Sequence, residues 1–293
     1  MTRLLTRGGA ATRDTLRDVA GRRTGLVALL LVGTLLFVVA LAPVIAPYDP
    51  AEPHIEARLQ GPSAEHWLGT DHLGRDLLSR AIFGARLALS VALPAGALAL
   101  LVGLLIGLLA GYVGGRTDRA LVVLMDSMQA FPAVILALGL LALLGPSLRN
   151  TTLVIAVAFA PAYARMARAS VFVVREEPYI EAERSLGAGN RRILVTHVLP
   201  NIIAPLFILM AINVPVAVTI EAGLSFLGLG VPPPQPSWGV MLQDGFELVR
   251  EAPWPVLVPG LALMLTTLGF TLLGEALRDR LDPRLSGVDG RPG

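Results

Sequence analysis

Between Gly25 and Ala46 the chain runs 22 residues without a charged side chain. At about 1.5 Å per residue, a helix of that length crosses a hydrocarbon core about 30 Å thick. A secretory signal core is shorter, about 7 to 15 residues, so this run reads as a retained anchor. Further apolar runs follow at about 88–111, 120–144, 151–173, 200–224 and 254–276. The pattern predicts an all-α polytopic membrane protein with six transmembrane helices. Composition points the same way: 54% of residues are hydrophobic and 16% charged, with a mean hydropathy of +0.66, which leaves too little polar surface to cover a soluble domain.

Several function classes drop out early. Cysteine is absent, which excludes disulfides, thiolate metal sites and a cysteine nucleophile. All 24 basic residues are arginine and the net charge is +2, but the arginines are spread along membrane flanks. They form no basic, aromatic-interleaved face, so nucleic acid is not an expected partner. Nor does any GxxxxGK[ST] loop for a nucleotide or HExxH pair for zinc occur. His54, His66, His72 and His197 are scattered without ligand spacing. Carboxylates in the apolar runs stay near span ends, with Asp126 and Glu275 at inner ends and Glu221 at an outer end. A proton-coupled carrier needs ionisable groups deep in the bilayer, and an intramembrane hydrolase needs paired aspartates or a metal motif; neither is visible.

Charge asymmetry sets the expected orientation. With the N-terminus inside, eighteen arginines fall on the cytoplasmic side and six outside (Arg58, Arg75, Arg80, Arg86, Arg149, Arg250), as the positive-inside rule requires. Both termini are then cytoplasmic, and Trp67, Trp238 and Trp254 lie in outer segments. The expected divisions are a basic cytoplasmic tail (1–24), a first transmembrane helix (25–46), an extracytoplasmic segment with an interfacial helix (47–87), a core transmembrane domain (88–277) and a cytoplasmic tail (278–293).

Local motifs add detail. Ala95, Ala99, Gly103, Gly107, Gly111 and Gly115 recur every four residues in the second span, a spacing that lets another helix backbone approach closely. Packing within the chain is the plainer reading and a seam between subunits the sharper one. Before that span, Thr70 or Asp71 is placed to cap a helix carrying an apolar stripe (Leu73, Leu77, Leu78, Ala81, Ile82), with Asp76 and Arg80 paired at i, i+4. VPPPQP at 231–236 is expected to run stiffly as polyproline II, as a lid, a docking ledge or a connector. The longest polar module between later spans is Glu181–Asn201, EAERSLGAGNRRILVTHVLPN. Pro178 suits a first helical turn, and Gly187 and Gly189 a sharp stop. A short helix, a turn and a second short helix follow, with Tyr179, Ala182 and Leu186 on one face. Such a helix can grip a partner or lie along the lipid surface.

This module resembles the cytoplasmic signature of ABC importer permeases, carried by Glu181, Ala182, Gly187, Leu199 and Pro200. Glu183 stands where a second alanine is usual, and His197 where an aliphatic residue is usual. The stretch from His66 to Val91, with Gly69, Thr70, Asp71, Gly74, Arg75 and Asp76, resembles the C-type subunit of dipeptide, oligopeptide and nickel systems. So do Glu221–Trp238 and Gly274–Leu285. The resemblance implies a type I ABC importer permease fold, half of a translocation path for di- and oligopeptides, with a nickel chelate or glutathione as alternative cargo. It implies a sister permease in a heterodimer, two ATP-binding subunits, an extracytoplasmic solute-binding protein and surrounding lipid. ATP and Mg would be held by the ATPase subunits, with no cofactor, metal or catalytic residue in this chain. Glu181, Ala182, Glu183, Gly187, Leu199 and Pro200 would couple to the ATPase through helices at 178–197. Glu221, Ser225, Phe226 and Trp238 would line the path or outer gate, although a helix-end carboxylate satisfied by neighbouring backbone is at least as available a role for Glu221.

Overall fold

Within hydrocarbon, backbone N–H and C=O groups must be paired by their own segment, so apolar runs of span length become helices. In the computed structural model, which describes residues 23–281, five helices are long and apolar enough to cross a membrane. They are α1 (Arg23–Ile45), α2 (Leu77–Val113), α5 (Leu148–Arg175), α8 (Leu199–Phe226) and α10 (Trp254–Leu281). A sixth crossing is made by α3 (Gly115–Gln129) and α4 (Ala133–Leu144) together. The described residues also form the short helices α6 (Pro178–Ser185), α7 (Asn190–Ile193) and α9 (Trp238–Phe246) and a 3-10 turn at Ile55–Ala57. The six-span, all-α expectation holds. Most of the basic tail at 1–24 and residues 282–293 of the C-terminal tail lie outside the described residues.

Three boundaries differ from the sequence reading, each for a physical reason. The run at 120–144 is no single helix. It bends by 87° between α3 and α4, where Pro132 removes a backbone donor and disfavours helix at the residue before it. The expected interfacial helix is no separate element either. Residues 70–76 are tied to the preceding chain by Leu59 N to Asp71 O, Thr70 N to Gln60 O and His54 N to Leu73 O bonds, so helix starts only at Leu77 and then runs 37 residues unbroken. Its cap is Asp76, not Thr70 or Asp71: the carboxylate accepts from Ser79 N at 2.8 Å. Finally, α7 continues through a π turn (Leu194–Val198) into α8. The wide turn lies just ahead of Pro200 and accommodates the hydrogen bond that proline cannot donate.

The core lies where α2, α5 and α8 meet, around Ala99, Tyr163, Ile202 and Leu206. The small-residue stripe of α2 packs on α5. A Cβ at Gly103 would come 2.4 Å from the Tyr163 Cβ, and one at Gly107 would come 2.5 Å from the Ala164 carbonyl oxygen. Gly111 abuts Val171 in the same way. The stripe is therefore a seam within the chain, and its close approach supplies the van der Waals contact that drives helix association in lipid. α10 and α1 pack together on one side of this triangle, with Gly269 of α10 against Leu31 and Val32, and α3 lies along α5 on the other.

Candidate functional site

At one end of the bundle, the chain between α5 and α8 folds into the short-helix, turn, short-helix unit expected from the sequence. Glu177 caps α6 through backbone geometry, with Pro178 in its first turn. The helix stops where Gly187 N donates to Arg184 O (2.9 Å) and Ala188 N to Glu183 O (2.9 Å), a paired closure that needs a left-handed residue between them. Gly187 supplies it with φ +83°, and a Cβ there would touch nothing within 4 Å. Backbone conformation, not crowding, requires this glycine.

The unit is anchored by buried Ile180, Ile193 and Val198, none of which the motif singled out. Its other face is open: Leu186 is 85% exposed, Val195 59% and Tyr179 43%. Glu181, Ala182 and Pro200 are also exposed, and Leu199 is half-buried. The two positions that depart from the family pattern meet, with His197 Nε2 3.5 Å from Glu183 Oε1 and the His197 and Tyr179 rings 5.9 Å apart. Glu183 and His197 thus link α6 to the start of α8, a pairing that no local sequence signal announces. Around the unit, Tyr112 OH donates to Asn190 Oδ1 (2.9 Å), Arg175 Nη1 to Gly111 O (2.9 Å) and Arg168 to both oxygens of Asp118 (2.5 and 2.7 Å). Partners 50 to 78 residues apart carry no periodicity by which to find them.

The opposite end is closed by a polar knot built from the GTDHLGRD stretch. Gly69 and Gly74 adopt left-handed φ, and a Cβ at Gly74 would overlap the His54 carbonyl. Thr70 is buried, donates to the Ala57 carbonyl and accepts from Gln60 N at 2.9 Å. Asp71 accepts from Leu73 N (2.8 Å), Arg75 N (3.0 Å) and Arg75 Nε (2.7 Å). The expected Asp76–Arg80 pair is not formed, because the Asp76 carboxylate is engaged by Ser79 and by His66 Nδ1 at 3.0 Å. Arg80 instead faces Asp71 at 3.3 Å and donates to the Pro50 carbonyl at 3.2 Å. Through Arg75 and Asp244, 3.4 Å apart, the knot grips α9.

α9 is wedged beneath it. Trp238 is buried and donates from Nε1 to the Ala81 carbonyl at 3.0 Å, while Trp67 stands 70% exposed. Glu221, one of the candidates for the path, is wholly buried. Its Oε1 accepts from Ser225 Oγ (2.7 Å) and Ser237 Oγ (3.0 Å), which ties α8 to the start of α9. These partners are serine hydroxyls rather than the expected backbone, and Oε2 is buried without a hydrogen-bond partner. Phe226 is half-buried, edge-on to Phe246. VPPPQP does not extend as polyproline II throughout; it turns at residues 233–234.

Comparison with known proteins adds to this geometry. Residues 103–287 match the family model for the inner membrane component of binding-protein-dependent transport systems, and residues 11–62 that for the N-terminal transmembrane domain of oligopeptide transport permease C. The chain is 40% identical over 273 residues to the dipeptide transport system permease protein DppC of Alkalihalophilus pseudofirmus, covering 93% of this chain and 90% of that one. To the di/tripeptide permease DppC of Pseudomonas aeruginosa it is 43% identical over 274 residues, covering 92% and 89%. To the glutathione permease GsiD of Pectobacterium atrosepticum it is 38% identical, covering 93% and 90%. The fold is similar to that of an inward-facing MetNI methionine ABC transporter chain, with a TM-score of 0.56 and 19% identity over 69% of this chain and 95% of that one.

Proposed function

Because the chain belongs to the family of binding-protein-dependent transport system inner membrane components, we propose that it forms half of the translocation path of an importer for di- and oligopeptides. It pairs with a second, homologous permease and is driven by two separate ATP-binding subunits, which hold ATP and Mg. An extracytoplasmic solute-binding protein delivers the cargo. The relatives' names support small peptides over a nickel chelate, and glutathione, itself a peptide, is the second reading. The chain is a transport permease subunit, and the chemistry of ATP hydrolysis lies in its partners.

The observation that carries this reading is the open face of α6 and α7. Leu186, Tyr179 and Val195 stand exposed beside Glu181 and Arg184, on a unit rooted in the bundle by three buried aliphatic side chains. An apolar knob on a charged mount at a span end marks a surface that a partner chain or the lipid surface covers, and the signature pattern of the unit favours a partner chain. The knob and its charges serve as the socket for an ATPase subunit, on the cytoplasmic side in the orientation that the arginine excess supports. Gly187 keeps the turn. Glu183 holds α6 to α8 through His197, Leu199 and Pro200 lie where the socket joins span five, and Ala182 allows close approach.

At the outer end, Glu221, Ser225 and Trp238 act as ties that hold the cap formed by α9, and Phe226 lies at its edge. The motif from Gly69 to Asp76 positions that cap. The VPPPQP turn is a ledge beside it for the solute-binding protein.

The test is a Gly187→Val variant in the assembled complex. A β-branched residue is costly at positive φ, so the socket deforms while the spans remain. The expected result is normal membrane insertion with ATP hydrolysis no longer linked to peptide uptake. Uptake at the wild-type rate contradicts the docking role.

A further inference from the structure

Of the fifteen residues of α3, only Met125 is buried. Packing alone holds this helix weakly, and both its ends are joints. Gly114 precedes it and Gly115 opens it, with φ of +69° and +62°, and the 87° elbow at residues 130–132 follows it. What fixes α3 is charge. Arg168 of α5 grips Asp118 with two hydrogen bonds of 2.5 and 2.7 Å, the forked geometry that a guanidinium matches to a carboxylate. These side chains are 30% and 15% exposed. A second pair, Arg165 and Asp126, has one contact of 3.3 Å and is about half exposed on both sides, a type worth little on its own.

Other polar contacts bind the neighbourhood to the signature unit. Phe172 lies between Arg168 and Arg175, each guanidinium 4.7 Å from the ring centre, which restrains both side chains. Arg175 and Asn190 hold the last turn of α2 through Gly111 and Tyr112. Movement of the signature unit passes to α5 and α8 by chain continuity. For α3, which joins its neighbours through a glycine pair and an elbow, the forked Asp118 tie is the tightest polar contact to α5.

We infer that α3 is a lever geared to α5 by the Asp118–Arg168 pair, which passes the movement of the signature unit to the elbow at residues 130–132. Asp118 and Arg168 are positioning residues and touch no cargo. This rests on the importer reading above. A static brace makes a different prediction: its loss lowers stability without changing the solute moved per ATP consumed.

The complete complex with its partner chains, in proteoliposomes, tests the gearing through dipeptide uptake and ATP hydrolysis measured together. Asp118→Asn and Arg168→Gln should each lower uptake per ATP by roughly tenfold, within the usual range of coupling between sites. The double reversal Asp118→Arg with Arg168→Asp should recover most of it. Single variants with the wild-type ratio, or a double reversal no better than the singles, overturn the inference. Because the chain has no cysteine, spin labels at Val123→Cys and Val173→Cys, 65% and 67% exposed, give a second reading. Their separation should stay fixed between nucleotide-free and ATP-trapped complexes and broaden in Asp118→Asn. A separation that changes with nucleotide in the otherwise unaltered chain overturns the gearing even if a variant fails to assemble. A complex that takes up no peptide with ATP contradicts the importer reading, and the label distances still report on the lever.

Discussion

Arg80 shows how much of this chain's order rests on single polar side chains. It is 2% exposed, and a guanidinium so placed is tolerable only while its carboxylate stays within reach. Asp71→Ala is therefore expected to cost about 3 to 5 kcal/mol, read as a lower unfolding temperature in detergent; an unchanged transition contradicts the pairing. Glu221 gives a finer contrast. Gln there still presents an oxygen to Ser225 and Ser237, and stability should hold. Leu leaves two buried hydroxyls without their acceptor, at about 1 to 3 kcal/mol each. Equal stability of the two variants would contradict the role given to the carboxylate. The meeting of Glu183 and His197 makes a third expectation. Glu183→Ala and His197→Leu together should cost less than the sum of the singles, by up to about 1 kcal/mol for a partly exposed pair. Strict additivity in a double-mutant cycle would show no coupling.

Among the elements, α2 and α5 owe their contact to absent side chains. Gly107→Ala places a methyl 2.5 Å from the Ala164 carbonyl oxygen, and an overpacked seam costs about 1 to 3 kcal/mol. Gly139→Ala in α4 meets nothing within 4 Å and should leave thermal stability in detergent unharmed, because alanine is the better helix former. Similar losses in both would contradict the seam. The four-residue spacing made this stripe legible, since small residues on one helical face have few other uses. The elbow between α3 and α4 was legible only as Pro132, whose effect on an apolar run depends on what packs around it. A helix capped at Thr70 or Asp71 starts too early because residues 70–76 are held by hydrogen bonds to chain ten to twenty residues before them, while Leu73 merely shares helical spacing with Leu77 and Leu78, which do lie in α2.

For the whole molecule, long uncharged runs declared six crossings because hydrocarbon leaves the backbone no other choice. The signature unit was legible because Pro178 and Gly187 mark its start and stop. Its anchors Ile180, Ile193 and Val198 look like any other aliphatic residues, and the Arg168–Asp118 tie spans fifty residues of sequence. In the proposed importer, the open face at Leu186, 85% exposed, is where an ATPase subunit's work would enter. The direct measurement is uptake of a labelled dipeptide into proteoliposomes containing this chain and its sister permease, with solute-binding protein and ATP supplied, in the presence and absence of the ATPase subunits. Uptake is expected only when the ATPase subunits are present. Concentrative uptake without them would contradict a path powered through the signature unit.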